Sequence, residues 1–275
     1  MRVPAPRKEK LALVFDFDDT LCPDSTNGFL TWCGVDTIGF WNTAHELIQE
    51  GFDPVLAYMN LMIRMSKTKH FAPLFTLSRF KSYARTIRFY QGVKTLFRDL
   101  KHDVKEFNPH VEIQYYLVSG GIDGILKSTV IAHEFCGIFS SAFYHDPKNG
   151  RILYPKRTVN FTDKTRFLFS ISKGIKHEQD YFHDPSQVNQ RLNTREYEIP
   201  FSRMIFVGDG FSDIPSFALL KKFGGYGIAV FDQAKYTIAK SLLTDERVIC
   251  IAESDYSLKG QVRDAIKSCL RNILA

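Results

Sequence analysis

The sequence predicts an α/β protein: a doubly wound, Rossmann-like parallel sheet core with an inserted α-helical segment. Three observations carry the prediction. Short apolar runs recur along the chain: LALVF (11–15), IQYYLV (113–118), FSSAFY (139–144), MIFV (204–207), GIAVF (227–231) and VICIA (248–252). Their apolarity is continuous rather than alternating, the mark of strands covered on both faces. Helical patterns such as GIDGILKSTVIAHEF (121–135) and DKTRFLFSISKG (163–174) lie between them, and strand alternating with helix implies a parallel sheet. Finally, no strand-like run occurs from Ser25 to Gln91, where Leu47, Tyr58, Leu61, Met62 and Met65 recur at helical spacing.

Taken in order, the first strand ends in LVFDFDDTLCPDST (13–26), which sets Asp16, Asp18 and Asp19 against an apolar run. Carboxylates there repel one another and resist desolvation, so a cation or a reaction must offset the cost. The insert follows. Its second half, Arg64 to Arg88, carries seven Lys or Arg and no Asp or Glu. Within it Lys81, Arg85 and Arg88 are expected on one helical face, and Phe80, Tyr83, Ala84 and Ile87 on another. Such a face is ordinarily solvated; its alternative use is contact with an anionic leaving group or an acidic partner.

The run YYLV is followed by Ser119-Gly120-Gly121, and a helix is expected from Gly121 with Ser119 as a candidate cap. Asn149-Gly150, in HDPKNGRILYP, signals a hairpin turn. FTDKTRFLFSISKG (161–174) sets Lys164 in the first turn of a helix, with Thr162 as a possible cap. The polar segment 176–200 reads as a long surface loop, and MIFV runs into Gly208-Asp209-Gly210 with Asp213 close behind.

The balance of 36 Lys and Arg against 30 Asp and Glu, a net +6 over 275 residues, favours anionic ligands. Zinc-finger spacing and Arg-rich runs are missing, so nucleic acid is not expected as a partner. Five scattered cysteines without a CxxC pair point to a reducing compartment and no structural zinc. Asp16 interrupts the apolar stretch behind the basic N-terminus, and no run approaches the ~20 apolar residues of a membrane span. A cytoplasmic protein without membrane contact is expected.

Ligands of an open parallel sheet bind beyond the carboxyl ends of its strands. The residues there, Asp16, Asp18 and Thr20, then Ser119-Gly120-Gly121, then Gly208-Asp209-Gly210 and Asp213, combine hard oxygen ligands with glycines that admit an anion to backbone N–H groups. They suit a phosphate bound beside Mg²⁺.

In this order, Asp16-Phe17-Asp18-Asp19-Thr20-Leu21, Ser119-Gly120-Gly121-Ile122-Asp123, a downstream lysine and Gly208-Asp209-Gly210-Phe211-Ser212-Asp213 frame most of the chain. The set resembles the haloacid dehalogenase-like superfamily, specifically its phosphatases, and most closely the branch that includes phosphoserine phosphatase. That resemblance implies a Mg²⁺-dependent phosphomonoester hydrolase working through an aspartyl-phosphate on a small phosphorylated metabolite. It makes Asp16 the nucleophile and Asp18 the general acid and base. Mg²⁺ would be held by the Asp16 carboxylate, the Asp18 backbone carbonyl and Asp209, with Asp213 in the surrounding acidic shell. Ser119 and the Gly120 amide would hold phosphate oxygens, and Lys164, chosen over Lys156, Lys173 and Lys176, would balance charge on the phosphoryl group. Asp19 would have no direct chemical role.

The resemblance further implies a catalytic core of residues 1–24 and 92–275 and a cap of residues 25–91 that selects the substrate. Two departures count against phosphoserine itself. Cys22-Pro23-Asp24-Ser25-Thr26 stands where that branch carries a substrate-binding glutamate, and Ser212 stands where it carries asparagine. A phosphomutase with the same nucleophile, or a non-catalytic anion-binding module, fits the same motifs.

Overall fold

The computed structural model describes residues 9–177, 184, 186–193 and 196–275. Seven strands, β1 (Glu9–Phe15), β2 (Val111–Ile122), β3 (Gly137–His145), β4 (Ile152–Arg157), β5 (Met204–Gly208), β6 (Tyr226–Phe231) and β7 (Cys250–Glu253), form one sheet in the order β4-β3-β2-β1-β5-β6-β7. All neighbours are parallel except β3 and β4, which pair antiparallel across the turn at Asn149-Gly150. Gly150 adopts φ +72 there, a conformation that costs a residue without a side chain least.

β1 lies at the centre. Its Leu11, Leu13 and Phe15 enter one hydrophobic cluster and its Ala12 and Val14 the other, so both faces of the sheet are covered. The chain builds outward from β1 through β2 to β4, then returns to its other side for β5 to β7. The order therefore reverses at β1, and a crevice opens at its carboxyl end.

Between β1 and β2 stand four helices of the insert, α1 (Ser25–Trp32), α2 (Thr37–Gln49), α3 (Pro54–Ser66) and α4 (Leu77–Ala84), followed by α5 (Val93–Phe107). Asp24, Asp36, Asp53 and Thr76 cap the first four with side-chain oxygens that accept backbone N–H groups. The insert packs into the core: Phe29, Phe75 and Phe80 share one cluster with Leu13 and Phe15. The β3–β4 hairpin also binds it through the backbone. Leu77 N–H donates to the Gly150 carbonyl at 2.9 Å, and Ile152 N–H to that of Phe75 at 3.1 Å.

Several boundaries differ from expectation. Gly120 to Ile122 continue β2, and the helix expected from Gly121 reduces to one turn, α6 (Asp123–Leu126). The hydroxyls of Ser128 and Thr129 donate to the carbonyls of Gly124 and Leu126, competing with the backbone bonds that would prolong it. Ser119 consequently caps no helix. Arg88 leaves the face expected for Lys81 and Arg85, because α4 stops at Ala84 and Thr86 turns back onto the Tyr83 carbonyl with both its N–H and its hydroxyl. β7 starts at Cys250 rather than residue 248.

The expected loop 176–200 falls partly outside the described residues, 178–183, 185 and 194–195 being beyond them. All five cysteines are free. Among the described residues no helix is long and apolar enough to cross a membrane.

Candidate active site

The crevice at the end of β1 gathers residues from four places in the chain. Asp16 follows β1 directly, with its N–H bonded to the Val207 carbonyl of β5 at 2.9 Å. Asp209 follows β5, and Asp213 ends the turn behind it. Lys164 enters from α7 (Phe161–Ser172), whose N-cap is Asn160. The capping contact joins the Asp163 carboxylate to the Asn160 N–H at 3.0 Å, so the expected cap at Thr162 gives way to a residue two positions earlier. That shift leaves Lys164 in the opening turn, pointing into the crevice.

Lys164 Nζ donates to Asp16 Oδ2 at 2.7 Å, to Asp213 Oδ1 at 2.6 Å and to Ser212 Oγ at 3.2 Å. Burial works against its charge, but Asp16 and Asp213 outweigh it and push its pKa above the usual lysine value. Asp16 Oδ1 accepts the Phe17 N–H at 2.7 Å, so both nucleophile-candidate oxygens are fixed. Asp213 is fully buried; its Oδ2 accepts the N–H groups of Asp209 and Gly210 at 3.1 and 3.2 Å. Gly208 makes this possible, since a Cβ there would lie 2.3 Å from Asp213 Oδ2.

Carboxylate oxygens of Asp16, Asp209 and Asp213 lie within 4.8 Å of one another, all three residues buried. Burial, then the charges of Asp213 and Asp16, raise the Asp209 pKa to about 7. Burial likewise raises Asp213 to about 6 despite Lys164 beside it. Buried carboxylates this close that resist ionising one another form a donor set short of positive charge. Hard oxygens so arranged fit a small divalent cation.

Asp18 stands apart from this trio. Its Oδ1 accepts the Ser25 N–H, at the start of α1, at 2.7 Å. Burial, followed by the nearby charges of Asp24 and Asp16, holds its pKa well above the ordinary carboxylate value. Gly121 accommodates it: a Cβ there would meet Asp18 Oδ2 at 2.8 Å. An acid whose pKa is raised in this way is suited to giving up a proton.

At the end of β2, Ser119 is 1% exposed and its hydroxyl accepts the Gly121 N–H at 3.1 Å. The insert reaches this point through α3, where Tyr58 donates its hydroxyl to the Gly120 carbonyl at 2.8 Å. Val55 lies close by: a Cβ on Gly120 would stand 3.6 Å from its methyl group. Asp24 uses Oδ1 to accept the Asn27 N–H at 2.8 Å.

Asp16, Lys164, Asp209 and Asp213 thus meet, while Asp18, Ser119 and Gly120 border them at adjacent strand ends. The sequence reading missed Lys235, whose Nζ contacts both Asp209 Oδ2 and Asp19 Oδ2 at 2.6 Å. Its signal was available, because Lys235 follows the carboxyl end of GIAVF as the other site residues follow theirs. Tyr58 was also missed; a tyrosine on a helical apolar stripe reads as core.

No family model matches the chain. An uncharacterised protein of Borreliella burgdorferi is 26% identical over 283 aligned positions, covering 91% of this chain and 93% of that one. Three solved structures share the architecture. A haloacid dehalogenase-family hydrolase of Salmonella enterica serovar Typhi superposes with a TM-score of 0.56 at 14% identity, covering 90% of this chain and 68% of its own. A phosphoserine phosphatase captured as a phospho-aspartyl intermediate analogue gives 0.55 at 16% identity, covering 95% of this chain and 99% of its own. A substrate-bound phosphoserine phosphatase gives 0.56 at 16%, with the same coverage. The chain has the haloacid dehalogenase-like fold.

Proposed function

We propose that the protein is a phosphatase that hydrolyses a small phosphomonoester through an aspartyl-phosphate on Asp16. The observation that supports this best is the meeting of Asp16 and Asp213 on the one ammonium of Lys164, at 2.7 and 2.6 Å, beside Asp18, whose pKa burial raises. In the first step an Asp16 oxygen attacks phosphorus. The bond to the leaving oxygen breaks, and the Asp18 proton passes to that oxygen. In the second step water attacks the phosphorus and gives its proton to Asp18. The bond to Asp16 breaks, releasing inorganic phosphate and restoring both carboxyl groups.

Lys164 balances the charge that develops on the phosphoryl oxygens, with Ser119 and the Gly120 amide as their further donors. The residues fit a divalent cation: Asp16, Asp209 and the Asp18 carbonyl would hold Mg²⁺, with Asp213 behind them. Bound there, the ion offsets the repulsion between an anionic nucleophile and an anionic ester. We assign residues 25–91 as the cap that selects the leaving group and residues 1–24 and 92–275 as the catalytic core. The commitment of Asp24 to capping α1 supports a substrate other than phosphoserine.

The test is phosphate release from a panel of phosphomonoesters, with and without Mg²⁺, by the wild type and Asp16→Asn. Metal-dependent release that the variant lacks is expected. Release that survives Asp16→Asn would remove the nucleophile from the scheme, and silence towards every ester with Mg²⁺ bound would remove the phosphatase.

A further inference from the structure

Lys235 belongs to none of the roles above, yet its ammonium joins two acidic residues that serve different parts of the molecule. It follows β6, in the short turn Gln233–Lys235, where its own N–H is capped by Asp232 Oδ1 at 3.1 Å. From there Nζ reaches Asp209 Oδ2 and Asp19 Oδ2, both at 2.6 Å, with its side chain 30% exposed. Asp209 supplies the metal-facing carboxylate.

Asp19 lies where the chain leaves the core for the insert. It takes a left-handed φ of 55, and its other oxygen accepts the Asp24 N–H at 3.2 Å. Asp24 in turn caps α1. One ammonium therefore holds both the acidic trio and the root of the insert.

Charge arithmetic gives this contact a consequence. Asp16, Asp209 and Asp213 present three buried carboxyl groups, and Lys164 serves only Asp16 and Asp213. The remaining member, Asp209, has Lys235 as its cation. A divalent ion entering the trio would share Asp209 with a positive charge already there. Like charges a few Å apart in a poorly solvated crevice oppose each other.

We propose that Lys235 is a positioning residue and resident counter-cation: it holds Asp209 and the root of the insert together, and it sets how tightly the divalent ion binds by opposing it at Asp209. The proposal rests on the functional reading above, in which that trio takes a metal. It assigns Asp19 a purpose outside the chemistry, as the second anchor of the same ammonium.

The test compares wild type, Lys235→Met and Lys235→Arg by calorimetric titration with Mg²⁺ alone, at about pH 8.5, where carboxyl groups raised as far as Asp209 are ionised. Removing the opposing charge is expected to tighten Mg²⁺ binding on the order of tenfold. The arginine variant, which keeps the charge, should stay within about threefold of wild type. Thermal melts in EDTA add a second readout: Lys235→Met should lower Tm, and Mg²⁺ should raise the Tm of that variant more than that of the wild type. In EDTA, Asp19→Asn and Lys235→Met should also be non-additive, since each breaks the same contact.

Binding by Lys235→Met that equals or falls below wild type overturns the proposal while leaving the phosphatase reading intact. Absence of Mg²⁺ binding in all three proteins overturns both.

Discussion

Replacing Lys164 with methionine keeps the length of the side chain and removes one charge from between two buried carboxylates. The side chains of Lys164, Asp16 and Asp213 are 3%, 8% and 0% exposed, so solvent cannot take over the lost interaction. Breaking a buried pair of this kind costs about 3–5 kcal/mol. The two N–H bonds to Asp213 and the one to Asp16 persist in the variant, which places the expected loss within that range and not above it.

The loss depends on pH. The pKa of Asp213 in the native protein is about 6, against 3.8 unfolded, so its contribution to stability is fully present below 3.8 and disappears as pH rises through about 6. Without Lys164 the Asp213 carboxyl moves further up, and the deficit relative to wild type opens as pH rises through about 6. Urea unfolding in EDTA, followed by circular dichroism, should show the full deficit at about pH 8 and less than half of it at about pH 5. A deficit below about 1 kcal/mol at the higher pH, or one equal at both, would refute the view that Lys164 is held chiefly by charge.

Two further outcomes follow from the same contacts. Gly208→Ala places a Cβ 2.3 Å from Asp213 Oδ2 and should cost about 2–4 kcal/mol by urea unfolding together with most of the phosphate release. Gly210→Ala, where a Cβ meets nothing within 4 Å, should cost less than about 1 kcal/mol, and equal losses at the two sites would contradict the packing described. Asp24→Asn keeps a capping oxygen for α1 but deletes a charge that raises the Asp18 pKa, so Asp18 should lose its proton at lower pH. The alkaline limb of the kcat profile should move to lower pH accordingly, and a limb that stays or moves up would remove Asp18 as the acid.

The legible part of the fold and site was the part governed by burial. LALVF and MIFV are strands because nothing but a doubly covered sheet accommodates them, and Asp16 and Asp209 stand at their ends in the order the fold requires. The misread part was governed by competition between local and tertiary bonds. Gly120 and Gly121 have poor strand propensity, yet they lie in β2 as an irregularity between the Ser119 and Ile122 pairings with β3, and Asp18 approaches closely at Gly121. The pattern 121–135 has a helical period, but Ser128 and Thr129 hydroxyls take the carbonyls it would use. Arg88 shares a helical face only on paper, since Thr86 ends the helix before it. Lys235 carries the signal of following the carboxyl end of GIAVF, but it is the strand order, with β6 next to β5, that brings it beside Asp209.

The place of β1 also dictates when the molecule can be finished. This strand pairs with residues 111–117 on one edge and 204–207 on the other, so during synthesis it emerges long before either partner exists. At about 10 residues per second, translation delivers its second partner some 20 s after the strand itself. Throughout that interval five consecutive apolar side chains, Leu11 to Phe15, have no final home. The nascent chain therefore carries an exposed adhesive segment over that interval. Because Asp16 immediately follows that segment, its carboxylate takes its place only after the second half of the sheet has arrived, and a prematurely released fragment is expected to be prone to aggregate.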